Sequence, residues 1–153
     1  MPTIWLSVVL GFVIGSPAIA YAQTQSVPSF SYLPARDIEG FIVEKLDLST
    51  FRNSFGPRRQ PGMRFFSDFG LRPKTQANGT IAFEEEDWYY KITVLGRGDY
   101  NRDGVEDLLI CFTDQALRGT YRTEIPLVVT RYSPQGLLIA IAYDVDHSSC
   151  GHR

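Results

Sequence analysis

The sequence predicts a mainly β domain, a small antiparallel sheet or meander with at most one short helix, with an α+β arrangement as the alternative. Three observations point there. Aromatic residues make up 13% of the chain, and β-branched residues are frequent in its second half, which suits pleated, half-buried surfaces. From residue 80 onward the apolar runs are short and bounded by turn residues. No segment sustains the 3.6-residue apolar period of a long amphipathic helix. With 153 residues, 44% hydrophobic and 21% charged, the chain has the size and composition of one globular domain.

Taken in order, residues 4–19 are almost wholly apolar and uncharged, Pro17 interrupts them, and Ala20-Tyr21-Ala22 offers a small-x-small cleavage site before Gln23. That is the pattern of a secretory signal over residues 1–22, so export to a periplasmic or extracellular address is expected. The first seven residues lack the usual Lys or Arg. The apolar run is near the lower limit for spanning a bilayer, so a membrane anchor is the alternative.

Residues 23–36, rich in Ser, Gln and Pro, read as an extended leader. The β-rich domain is expected over 37–144, and a flexible tail over 145–153. Phe41-Ile42-Val43 suggests a first strand. Ser49 can cap a helical turn over 50–55 that Gly56-Pro57 stops. The segment 56–62, with two Gly and two Pro, must be a loop. Residues 64–66 read as a short strand, and 73–79 as a further loop.

Strands are then expected over 80–86, 88–95, 108–113, 125–132 and 137–143, the last two joined by the turn Ser133-Pro134-Gln135-Gly136. Links this short dictate antiparallel neighbours. Pro126, which has no backbone donor, should mark a strand start or an edge.

Residues 98–109 read GDYNRDGVEDLL. Side-chain oxygens recur at alternate positions, Asp99, Asn101 and Asp103. Gly104 permits a sharp turn, the Val105 carbonyl can point inward, and Asp107 supplies a last carboxylate. A hard cation such as Ca²⁺ takes six or more oxygens from a curled backbone, which this set provides; Mg²⁺ prefers to keep waters. The loop has neither His nor Cys, which argues against zinc.

A helix-loop-helix calcium site carries a bidentate Glu at its twelfth position, where this chain has Ile110. The D-x-N-x-D-G-x-x-D spacing followed by an apolar strand resembles the calcium loops of FG-GAP and VCBS-type repeats. The resemblance covers about 15–20 residues in one copy, whereas those repeats build propellers from many. It implies Ca²⁺ binding by Asp99, Asn101, Asp103, Val105 and Asp107, between strands. The wider stretch 88–135 looks like small exported bacterial proteins that carry this loop.

In an oxidising compartment Cys111 and Cys150 can pair, closing a loop worth roughly 3–4 kcal/mol in the chain-entropy model. A buried free Cys111 with a loose Cys150 is the alternative.

A formal charge of −2 gives no general pull toward nucleic acid, but charge is uneven. Residues 51–74 hold five Arg and one Lys against Asp68 alone, whereas 84–107 are strongly acidic. These faces can simply solvate the fold. In the sharper reading Arg58, Arg59 and Arg64 meet an acidic envelope polymer or a partner protein. Both histidines lie in the last seven residues and no Gly-x-Ser-x-Gly elbow occurs, so nucleophilic catalysis lacks its parts. The expected function is therefore a non-enzymatic, calcium-stabilised exported domain that binds an envelope component or partner. The alternative is a hydrolase of envelope or extracellular polymers, with acids drawn from Glu84, Glu85, Glu86 and Asp87 or from the loop.

Overall fold

A computed structural model describes residues 27–142, 145 and 150. The signal reading for 1–22 and most of the tail lie outside the described residues.

Asp37 takes a left-handed conformation, φ 52°, and its carboxylate accepts the Gly40 N–H at 3.1 Å. This cap opens helix α1, Ile38–Lys45, with Glu39 in the first turn and Lys45 in the last, each matching the helix dipole. Phe41-Ile42-Val43 is thus helical, not a strand. The triplet looks strand-like alone, but Ile38, Phe41 and Ile42 stand at i, i+3 and i+4, forming one apolar face that packs on the core.

The turn expected over 50–55 is instead a 3-10 turn at Leu48–Thr50. Its cap is Asp47, whose carboxylate accepts both Ser49 N at 3.0 Å and Ser49 Oγ at 2.6 Å. The strand expected over 64–66 is also overturned. Arg64 N and Phe65 N both donate to Asp68 Oδ2 at 2.8 Å, which winds Phe66–Phe69 into a second 3-10 turn.

One antiparallel six-stranded sheet follows, its strands neighbouring in sequence order: β1 Pro73–Ala77, β2 Thr80–Glu84, β3 Trp88–Gly98, β4 Asp107–Ala116, β5 Arg122–Thr130 and β6 Ile139–Ala142. The loop expected over 73–79 is therefore mostly strand. Pro73–Ala77 is an exposed edge strand lacking the apolar alternation that betrays its neighbours. Asn78 and Gly79, at φ 53° and 71°, make the two-residue turn that joins it to β2. Pro126, expected at a strand start or an edge, lies instead in the middle of β5 opposite Cys111; among the described residues β6 pairs only with residues 128–130.

The register aligns apolar side chains in rows across one face. Ile81, Ile92, Phe112 and Ile125 form one row, and Ile110 with Leu127 continue a second. Ile42, Leu46, Leu48, Phe51, Phe66 and Leu138 cover this face. Phe66 stacks on Phe83, centroids 4.0 Å apart, and Phe51 meets Phe112 edge-on at 5.2 Å. Each such buried side chain contributes roughly 1.5–3 kcal/mol by leaving water. A bulge between Val94 and Gly96 shifts the β3–β4 register so that Gly98 faces Asp107. Residues 99–106 thereby become the hairpin connection between these two long strands. No helix among the described residues is long and apolar enough to cross a membrane.

Candidate metal loop and an adjoining aromatic cleft

The loop is curled by its own side chains. Asp99 Oδ1 accepts the Asp103 N–H and Oδ2 the Gly104 N–H, each at 3.0 Å. Asn101 Oδ1 accepts Asp103 N at 3.0 Å, and Asp103 Oδ1 accepts Val105 N at 2.8 Å. Arg102 and Gly104 adopt positive φ, 63° and 85°, which lets the backbone turn tightly enough for these bonds. Asn101 Nδ2 also donates to Asp103 Oδ2 at 2.7 Å.

Asp107 closes the ring from the first position of β4. It is fully buried, and its Oδ2 accepts the Tyr100 N–H at 3.0 Å. Its Oδ1 is buried with no hydrogen-bond partner among the described residues. Burial pushes the Asp107 carboxyl above the usual range, and the neighbouring charge of Asp103 adds to this. Asp99 is buried as well. Among the described residues no group of three or more His, Cys, Asp or Glu is gathered tightly enough to hold a metal ion. The five residues expected as ligands thus share one curled loop, with Asp99 and Asp103 turned onto loop amides.

The leader does not hang free of this loop. Ser29 N and Phe30 N donate to the Gly104 carbonyl at 2.8 and 3.0 Å, and Glu106 N donates to the Phe30 carbonyl at 2.8 Å. Arg97 pairs with Glu106 at 2.8 Å and donates to the Pro34 carbonyl at 2.9 Å. The Arg97 guanidinium holds the Glu106 carboxyl below its ordinary range, against the effect of burial. Residues 29–34 therefore clamp the loop from outside, a role their polar composition does not announce.

The three arginines expected to meet a partner have different fates. Arg64 grips Asp47, which is 1% exposed. Burial opposes ionisation of Asp47, but the Arg64 and Ser49 hydrogen bonds outweigh it and hold the carboxyl below its usual range. Arg59 donates to the Leu48 carbonyl and, at 3.0 Å, to Asn53 Oδ1. Arg58 is exposed, and it alone of the three has no hydrogen bond or ion pair among the described residues. Cys111 and Cys150 are bonded, with Cα atoms 5.3 Å apart. Glu86 and Asp87 pair with Arg118 at 3.0 and 3.3 Å on an exposed rim.

Sequence reasoning passed over a cleft of about 710 Å³ lined by Asn53, Gly56, Pro57, Arg58, Arg59, Trp88 and Tyr90. Trp88 and Tyr90 project from the same face of β3 with near-parallel rings, centroids 6.3 Å apart, and Tyr121 meets Trp88 at 5.6 Å. Behind Gly56 and Tyr90 lies Asp114, 2% exposed, whose Oδ2 accepts the Gly56 N–H at 2.8 Å. Its Oδ1 is buried without a hydrogen-bond partner among the described residues. The Tyr121 hydroxyl donates to the Ser54 carbonyl at 3.4 Å and also stands close enough to Asp114 to favour its charged form. Burial raises the Asp114 carboxyl, and burial together with the Asp114 charge raises the Tyr90 phenol well above its ordinary value. The signal that could have found the cleft was Trp88-x-Tyr90, two aromatics sharing one face of a strand that opens next to a Pro/Gly loop.

Comparison of the chain with family models, with curated proteins and with solved structures gives no match.

Proposed function

We propose that this chain is an exported, non-enzymatic β domain that Ca²⁺ stabilises through residues 99–107 and that binds an acidic envelope polymer or a partner protein. The observation that carries the calcium reading is Asp107. A carboxylate oxygen buried without a partner costs about 1–3 kcal/mol or more unless something compensates it. The donors that this loop offers are all oxygen: the side chains of Asp99, Asn101, Asp103 and Asp107 with the Val105 carbonyl. That chemistry fits a hard divalent cation. At a concentration one hundred times its dissociation constant, such an ion adds about 2.7 kcal/mol of stability. This is a large share of the roughly 5–15 kcal/mol typical of small domains.

The hydrolase alternative needs two carboxylates facing each other across a cleft. Glu84, Glu85 and Glu86 instead follow one another along an exposed strand end and line a shallow depression with Arg72 and Lys74. The binding reading is therefore preferred.

Calorimetric melting with Ca²⁺ and then with chelator tests the proposal. The melting temperature is expected to fall on chelation. Asp103→Ala should abolish that response and Glu85→Ala should leave it intact. An unchanged melting temperature on chelation overturns the calcium reading.

A further inference from the structure

We infer that the cleft between residues 53–59 and β3 binds an acidic saccharide, its pyranose ring lying on the Trp88 indole and its carboxylate held by Arg58. This deepens the binding function proposed above and rests on it, while needing nothing from the calcium loop.

The volume of the cleft, about 710 Å³, is that of a small-molecule site rather than a crevice between side chains. Trp88 is 39% exposed and Tyr121 42%. Large aromatic rings beside polar groups are what a sugar requires. The electron-rich ring face attracts the polarised C–H bonds of a pyranose, while its hydroxyls need hydrogen-bonding groups at the edge. Asn53 supplies such a group. Its Oδ1 is occupied by Arg59 at 3.0 Å, which fixes the amide with Nδ2 left as a donor.

Charge selects the ligand further. Arg58 lines the cleft and is exposed, and its planar fork matches a carboxylate in two-point geometry. Arg59 adds positive potential on the same wall. Beside Trp88, Arg118 pairs with Glu86 and Asp87, so the acidic rim next to the ring is partly neutralised. The shelf is also held in place. Asp114 ties Gly56 to β4, Arg59 ties the loop to the Leu48 carbonyl, and Tyr90 packs on Phe112 with centroids 6.2 Å apart. A site whose walls are fixed before the ligand arrives loses less on binding.

Titration calorimetry of the full chain tests this with three probes. They are a glucuronate-containing tetrasaccharide, the same oligomer with its carboxylates reduced to alcohols, and poly-glutamate of matched charge. The acidic tetrasaccharide is expected to bind at least tenfold more tightly than either of the others. Trp88→Ala should weaken it at least tenfold, and Arg58→Ala should bring it to the level of the reduced oligomer. Arg72→Ala, on a basic residue outside the cleft, should leave it unchanged, with melting curves confirming that each variant is folded. Equal binding of poly-glutamate marks an acidic polypeptide or a general anion patch and overturns the proposal. So does an equal loss in the Arg58 and Arg72 variants, or binding of neither saccharide at millimolar concentration. A protein that loses stability on chelation yet ignores both saccharides would retain its calcium role and lose only this site.

Discussion

Asp107 and Thr130 face each other across β4 and β5, and each holds a buried oxygen, Oδ1 and Oγ1, without a hydrogen-bond partner among the described residues. The Thr130 hydroxyl lies close enough to hold the Asp107 carboxyl below where burial alone would put it. Thr130→Val keeps the shape and removes the unpaired hydroxyl. Replacing an unsatisfied polar group by an apolar isostere is near neutral or stabilising. Denaturant unfolding in chelator should therefore show no loss, or a gain of up to about 1 kcal/mol. A larger loss would mean that Thr130 serves Asp107 directly.

Asp114 gives a pH signature. Burial raises its carboxyl above the unfolded value, so the folded chain holds this proton more tightly than the unfolded one. Stability from this group is greatest at low pH and falls as pH rises through its folded pKa. Asp114→Asn keeps an acceptor for the Gly56 N–H and cannot ionise. At pH 7 its melting temperature should exceed that of the parent, and the two should converge as pH falls through the carboxylate range. A constant gap at every pH would show that ionisation at Asp114 is not what the substitution relieves.

Gly79 sits at φ 71° in the turn between β1 and β2, and an added Cβ would have room, 3.6 Å from the Val94 carbonyl oxygen. The cost of Gly79→Ala is therefore conformational, about 1–2 kcal/mol for a left-handed residue with a Cβ. The Gly79 N–H also donates to Glu39 at 2.7 Å, joining the turn to α1. Thermal unfolding should register the loss, and Gly62→Ala, in a loop with the same sign of φ and nothing within 4 Å, should cost a similar amount. A neutral Gly79→Ala would refute the turn geometry.

The Cys111–Cys150 bond spans 39 residues. Closing a loop of that length restricts the unfolded chain by about 4 kcal/mol in the entropy model. Cys150→Ser and chemical reduction should each lower unfolding free energy by about 3–4 kcal/mol. Equal stability with and without reductant would mean that the bond constrains nothing in the unfolded chain.

The sheet was legible wherever strands alternate or run apolar, as in β2 to β5, and at Ser133 to Gly136, whose turn closes with Gly136 N donating to the Ser133 carbonyl at 3.0 Å. β1 was not, because an edge strand facing water on both sides shows no alternation; the Asn78-Gly79 pair carried the signal instead. Helix α1 was misread because Phe41, Ile42 and Val43 favour strands individually, while the cap at Asp37 and the spacing of the buried face decide the matter. At the candidate loop, residue spacing announced the curl of Asp99 to Asp107, and burial of Asp107 follows from its place in β4. What spacing could not announce was the clamp by residues 29–34, or the cleft at Trp88, since both depend on segments brought together over long stretches of chain.

Every strand pairs with its neighbour in sequence, which gives the sheet a short average separation between partners and favours rapid assembly. The parallel bridge from Phe30 to Val105 is different in kind, because its two ends are far apart along the chain. It has to wait until the β3–β4 hairpin exists to receive it. In a refolding experiment, sheet formation should thus precede docking of the Phe30 segment, leaving a brief species whose hairpin is complete and whose outer brace is still unfastened.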